Sequence, residues 1–309
     1  MQNPFFYNTK PFTKILFLVF LAVVSSLIFT FVGLIIAVPL FGIEISRFKE
    51  YLSVSDPNNL PFIKFMQAIQ TISMFILPAF FAAFLYSKNV VKYLKINKKP
   101  ILELLLLAGI ITLTLIPIIG FTTEINSHLK LPDFLKSLET WMQDTENQAK
   151  VMVEAFLTVK STSGLLINLI IVAFLPAVGE ELLFRGVLQK LLYKISKNSH
   201  TAVIATAIIF STVHFQFYGF LPRMILGILF GYFFVWSKNL WIPIFAHFVN
   251  NAFAVILFYK LQGTKELEAA DKFGAEPSQY IFLIISAVIT SVMIYSFIRI
   301  SKKNKLHQK

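Results

Sequence analysis

Long stretches of this chain carry no charge. Apolar runs at about 15–41, 63–86, 101–120, 164–186, 200–214, 222–236, 240–258 and 279–298 alternate with short polar segments. A helix that crosses a bilayer needs about 20 mostly apolar residues, and several of these runs reach that length. The pattern therefore predicts an all-α polytopic transmembrane helical bundle of about eight spans. No segment shows the alternating pattern of a membrane barrel. The runs at 200–214 and 222–236 are short, which predicts that one of them is broken or re-entrant, as backbone can be where it lines a polar cavity. The first run, from Ile15 to about Phe41, exceeds the ~7 to 15 apolar residues of a signal peptide and is expected to stay as a span. Three segments follow: N-terminal helices with a long loop (1–160), a central group of helices (161–260), and a final span with a basic tail (261–309).

Charge orients the bundle. Lys88, Lys92, Lys95, Lys98 and Lys99 fill the loop after the second run, and Lys190, Lys194 and Lys197 follow the fourth. Arg299, Lys302, Lys303, Lys305 and Lys309 end the chain, and Lys10 and Lys14 begin it. With eight spans all of these fall on one side, so the excess of lysine on cytoplasmic loops places both termini in the cytoplasm. Residues 121–160 hold Glu124, Asp133, Glu139, Asp144, Glu146 and Glu154 and are expected outside, with a short surface helix in LPDFLKSLETWMQ. A 56% hydrophobic content, against roughly 45 to 50% in soluble domains, agrees with an integral protein, expected in the cell (inner) membrane. The net charge of +12 is explained by orientation, so no nucleic-acid partner is expected. Cysteine is absent, which excludes disulfides, thiolate catalysis and cysteine-bound metal.

Ionisable groups inside spans cost about 2.5 to 3.5 kcal/mol each on insertion scales, so each needs a partner or a purpose. PAVGEELLFRG ends the fourth run with Glu180, Glu181 and Arg185. Glu181 and Arg185 are four apart and share a helix face, while Glu180 points about 100° away. FSTVH closes another run on His214, and HFVNN places His247 and Asn251 four apart on one face, two donors for one point. Glu103, one turn from a lysine-rich loop, reads as an interfacial charge. Gly227 and Gly231 have the small-xxx-small spacing of a helix contact.

In this order, EExxxR, FxxxH and HxxxN resemble the motifs of the CAAX prenyl endopeptidase and bacteriocin-processing (CPBP, Abi) family of intramembrane proteases, over roughly residues 164–256. The resemblance implies that Glu180 activates a water which His214 also holds, and that His247 and Asn251 stabilise the oxyanion. Glu181 and Arg185 would be supporting residues that fix the helix and tune Glu180. The implied activity is endopeptidase cleavage of a membrane-associated or prenylated, CAAX-like protein or peptide. Competing readings are a proton-coupled transporter and a catalytically silent immunity or scaffold protein of the same fold.

Glu180, His214 and His247 could also supply three ligands to Zn²⁺. There is no HExxH, however, and Asn251 suits hydrogen-bond donation better than ligation, so no metal cofactor is expected. One tension remains open at this level. Counting ~1.5 Å per residue, His214 lies about 20 Å from the cytoplasmic edge and His247 about 10 Å. Either the fifth span is re-entrant or the boundaries shift.

Overall fold

The computed structural model describes residues 4–306, and among them every regular element is helical. The main helices are α1 (Pro11–Phe41), α2 (Pro57–Tyr86), α3 (Leu102–Thr114), α4 (Ile116–Ser127), α5 (Lys136–Leu157), α6 (Thr162–Ser196), α7 (Ser199–Thr212), α8 (Phe217–Ser237), α9 (Trp241–Leu261) and α10 (Pro277–Asn304). The end of the basic tail, His307 to Lys309, lies outside the described residues.

Six of these helices, α1, α2, α6, α8, α9 and α10, are long and apolar enough to cross a membrane. The pair α3 and α4, bent by 43°, makes a seventh if taken as one span. The protein is thus an integral membrane bundle, but the count stops short of the expected eight. The missing crossing is α7, whose 14 residues reach about 21 Å of a hydrocarbon core ~30 Å thick. Of the two short runs in 200–236, α8 is one continuous helix, and a bend falls elsewhere, at Leu115. Its cause is Pro117, which lacks an N–H and whose ring clashes with the carbonyl four residues earlier. Ser286 of α10 donates to the Thr114 carbonyl beside the bend, and the hydroxyls of Thr114 and Thr290 lie 2.9 Å apart.

Proline shapes the centre as well. Helices α2 and α6 each widen into a π turn, Ile72–Ile76 and Leu169–Phe174, just before Pro78 and Pro176. The wider turn accommodates the proline ring without ending the helix. A third π turn, Phe184–Leu188, follows the acidic pair. Helix α6 is central, packed against α1, α2, α7 and α9 and bonded to α8 through Arg185 and Gln189. Leu182, Phe184, Val187 and Leu191 of α6 join Ala79 and Ala82 of α2, Phe210 of α7 and Phe234 of α8 in one core. By contrast α1 leaves Leu27, Phe31 and Leu40 more than 60% exposed, the surface of a lipid-facing helix.

The expected surface helix at 131–143 is real but longer, running to Leu157 as α5. It lies over the start of α8: Trp141 and Phe217 pack at 5.5 Å, and the Tyr218 N–H donates to Glu146 at 3.3 Å. The turn between α7 and α8 is further held by buried Asn126, which donates to the Phe217 carbonyl and accepts from the Leu221 N–H.

Orientation has a direct check. With the lysine-rich loops inside, an impermeant thiol reagent applied to intact cells should label Asp144→Cys and spare Lys92→Cys, both exposed positions of a cysteine-free chain. The opposite pattern would invert the bundle.

Candidate active site

Glu180 and Glu181 stand on α6 between its two π turns and are 7% and 0% exposed. Glu181 bonds Arg185, one turn on, at 2.7 Å, and Arg185 is itself fully buried. Arg185 also donates to the Gly227 carbonyl of α8 at 2.8 Å, and Gln189 donates to the Gly231 carbonyl at 3.2 Å. The two glycines are the helix contact their spacing predicts: a Cβ on Gly227 would meet Ala207 at 3.1 Å, and one on Gly231 would meet Val203 at 2.9 Å. Their bare backbone also supplies the carbonyls that α6 needs.

Both histidines reach Glu180. His214 Nε2 lies 3.9 Å from one carboxylate oxygen and His247 Nε2 3.8 Å from the other. Each ring is fixed by its other nitrogen. His214 Nδ1 donates to the Phe210 carbonyl at 2.7 Å, a bond that explains the four-residue spacing of FxxxH. His247 Nδ1 donates to Glu181 at 3.0 Å, so one oxygen of Glu181 serves both His247 and Arg185. The Phe210 ring sits among these groups, 4.9 Å from the His214 ring, 6.1 Å from His247 and 4.9 Å from the Arg185 guanidinium. Phe230 stacks on His247 at 5.1 Å. With Nδ1 the donor in both rings, each neutral imidazole turns a lone pair at Nε2 toward Glu180. Asn251 lies one turn beyond His247, and its carbonyl oxygen accepts from Asn250 at 3.1 Å, leaving its amide hydrogens to donate elsewhere.

The depth tension resolves in a way neither expectation allowed for. Helix α9 starts deep in the bundle: the Leu240 N–H donates to the Lys95 carbonyl at 3.1 Å, and Leu240 and Leu94 both pack on Gly186. From the level of Gly186, Glu181 is five residues away along α6 and His247 six along α9 from Trp241, so each travels about 8 to 9 Å and they meet. The histidines differ in distance from their own helix starts because those starts lie at different levels.

Two charged residues that the motifs do not mark stand inside apolar runs, Arg223 beside this site and Lys64, on α2, at a point farther along α6. Arg223 is one turn before Gly227 on α8, which sets it level with Glu181. It donates to the Gln216 carbonyl at 3.3 Å, and its charge acts on both Glu180 and His214. With neutral histidines, Arg185 and Arg223 together balance Glu180 and Glu181. Lys64 of α2 is buried and donates to Asn168 of α6 at 2.8 Å, while Asn168 donates to the Phe156 carbonyl of α5. Each of Arg223 and Lys64 is the one ionisable residue in an apolar run, FLPRMILG and LPFIKFMQ. Glu103, in contrast, is exposed at the end of α3, as an interfacial charge should be.

A carboxylate and two imidazole lone pairs are donor types that zinc accepts, and the residues that would hold it are Glu180, His214 and His247. Among the described residues no group of three or more His, Asp or Glu has the arrangement of a metal site.

Residues 162–253 match the family model described as type II CAAX prenyl endopeptidase Rce1-like. Two curated proteins of Bacillus subtilis (strain 168) are similar. "Putative membrane peptidase YdiL" is 29% identical over 109 residues, 35% of this chain and 41% of that protein. "Uncharacterized protein YpbD" is 32% identical over 89 residues, 28% of this chain and 42% of that protein. The chain thus spans about two fifths of the length of the curated relatives it matches. No solved structure matches the chain. The matched segment holds Glu180, Glu181, Arg185, His214, His247 and Asn251, and over it the chain is similar to the type II CAAX prenyl endopeptidase Rce1-like model.

Proposed function

We propose that the protein is an intramembrane endopeptidase of the cell membrane that cleaves a membrane-associated or prenylated peptide with a glutamate-activated water and no metal. The observation that carries this reading is the convergence of two oriented imidazoles on one carboxylate, each within 4 Å of it, with Glu180 and His247 buried and His214 partly exposed inside a helical bundle.

A water seated between Glu180 and His214 donates one hydrogen to the carboxylate and the other to the Nε2 lone pair, which leaves its own lone pair free to attack. As the water oxygen bonds to the peptide carbonyl carbon, its proton passes to Glu180 and the carbonyl electrons move to oxygen. Collapse breaks the C–N bond, and the proton on Glu180 passes to the leaving amine. General-base assistance of this kind contributes about 10² to 10⁴ in rate. Asn251 donates to the oxyanion through its amide hydrogens. His247 can add a donor only in its doubly protonated form, because Nδ1 already donates to Glu181. Glu181 would hold that imidazolium as the oxyanion develops.

The test is a comparison of membrane peptides in cells carrying the wild-type protein or Glu180→Ala, which reads activity and substrate together. Peptides present only with the wild type are expected, and identical peptide sets would refute the reading. With the substrate in hand, cleavage by purified protein should persist after prolonged chelation. Loss with chelator and recovery with added Zn²⁺ would instead return Glu180, His214 and His247 to the role of ligands.

A further inference from the structure

Residues of α9, the start of α3, the segment before it and the π turn Leu169–Phe174 line a chamber of about 750 Å³ that is open on one side. Its walls are Leu105 and Phe245, and its inner end is Phe174 and Phe248, whose rings pack at 6.1 Å. Gly109 lets the Phe245 ring lie against α3, since a Cβ there would stand 2.9 Å from it. Lys98 and Lys99 line the opposite end.

The segment bearing these lysines is pinned in place. The Lys95 carbonyl accepts from the Leu240 N–H at 3.1 Å, the Lys98 carbonyl from Asn239 at 2.9 Å, and the Ile96 carbonyl from the Trp241 indole at 3.2 Å. Three bonds to the start of α9 thus hold two cationic side chains over the mouth of an apolar space. An open chamber of this size falls in the range of ligand sites, about 300 to 1,000 Å³.

We propose that the chamber is a resident phospholipid site, taking an acyl chain between α3 and α9 and an anionic headgroup at Lys98 and Lys99. Apolar walls select the chain, and the paired cations select the head. A zwitterionic head carries its own cation and gains less from the lysines. The chain would end against Phe174 and Phe248, the latter next to His247 on α9, so an occupied site braces the helix that carries the histidine. The inference does not rest on peptidase activity.

Binding tests it. The full-length protein is purified in neutral detergent and offered dioleoyl phosphatidylglycerol or dioleoyl phosphatidylcholine. Retained lipid is read by native mass spectrometry, and thermal unfolding is followed in parallel. The expected result is preferential retention of phosphatidylglycerol, on the order of tenfold, with a raised melting temperature. The Lys98→Gln/Lys99→Gln double variant should lose the preference while melting normally without lipid. Leu105→Trp, which fills the chamber from its wall, should lose retention of both lipids. Equal retention of the two lipids by the wild type, or a preference that survives both variants, would overturn the proposal. So would a chamber that keeps neither phospholipid yet binds a farnesylated peptide in a manner blocked by Leu105→Trp, an outcome that would give the space to substrate.

Discussion

Glu180→Gln is expected to reduce cleavage by at least about 10² to 10⁴, the scale for losing a general base, while the protein folds as before. Glutamine matches glutamate in shape, and its amide can donate to an Nε2 lone pair of His214 or His247, so packing is kept. What disappears is the acceptor for the water proton. Glu180 has no ion pair closer than the 3.8 and 3.9 Å contacts to the histidines among the described residues, so little stability rides on its charge. Unfolding of the variant in detergent should therefore stay close to wild type as turnover of the identified peptide falls. Wild-type cleavage by a folded Glu180→Gln protein would refute the assignment of the base.

Arg185→Ala should do the opposite and lower stability by about 3 to 5 kcal/mol, the cost of leaving one member of a buried pair alone. Arg185 and Glu181 are both 0% exposed, and the guanidinium also serves the Gly227 carbonyl and lies over Phe210. Lysine is a poor substitute, because a single ammonium cannot reproduce two donors aimed at α6 and α8. A double replacement, Glu181→Met with Arg185→Met, separates structure from chemistry. Apolar replacement of a buried pair is often neutral or stabilising, so the double variant should regain most of the melting temperature. It should remain a poor enzyme, since His247 Nδ1 has lost its acceptor. An Arg185→Ala protein that melts like wild type would remove the pair from its structural role.

The parts of the site legible in the sequence are those set within single helices. Glu181 with Arg185, the Phe210 carbonyl with His214, and His247 with Asn251 are each one turn apart, and a turn is local geometry. What was not legible depends on other segments. The common level of His214 and His247 depends on where α9 begins, and that is decided by Leu240 bonding to Lys95 and packing on Gly186, a long-range contact that helix counting does not contain. The bend at Leu115 was signalled by Pro117, but proline also occurs within α2 and α6, where a π turn absorbs it. Identical residues gave different outcomes because the neighbours differ: Thr114 found hydroxyl partners on α10. Arg223 was readable as a charge in an apolar run, but its closeness to Glu180 follows from the parallel register of α6 and α8, in which Arg185 meets Gly227 and Gln189 meets Gly231.

The π turn at Phe184–Leu188 bears on the history of the helix. A π turn closes from residue i to i+5, so it houses one residue more than an α turn and advances everything beyond it by about 100° around the axis. Deleting one residue after Arg185 would leave Glu180, Glu181 and Arg185 in place but swing Gln189 off the Gly231 carbonyl and Lys190 off the Tyr93 carbonyl. The wide turn is what a single-residue insertion into an ordinary helix leaves behind. A relative one residue shorter just after this arginine would have a straight helix there, and with it a different hold on the lysine-bearing segment that ends at α9.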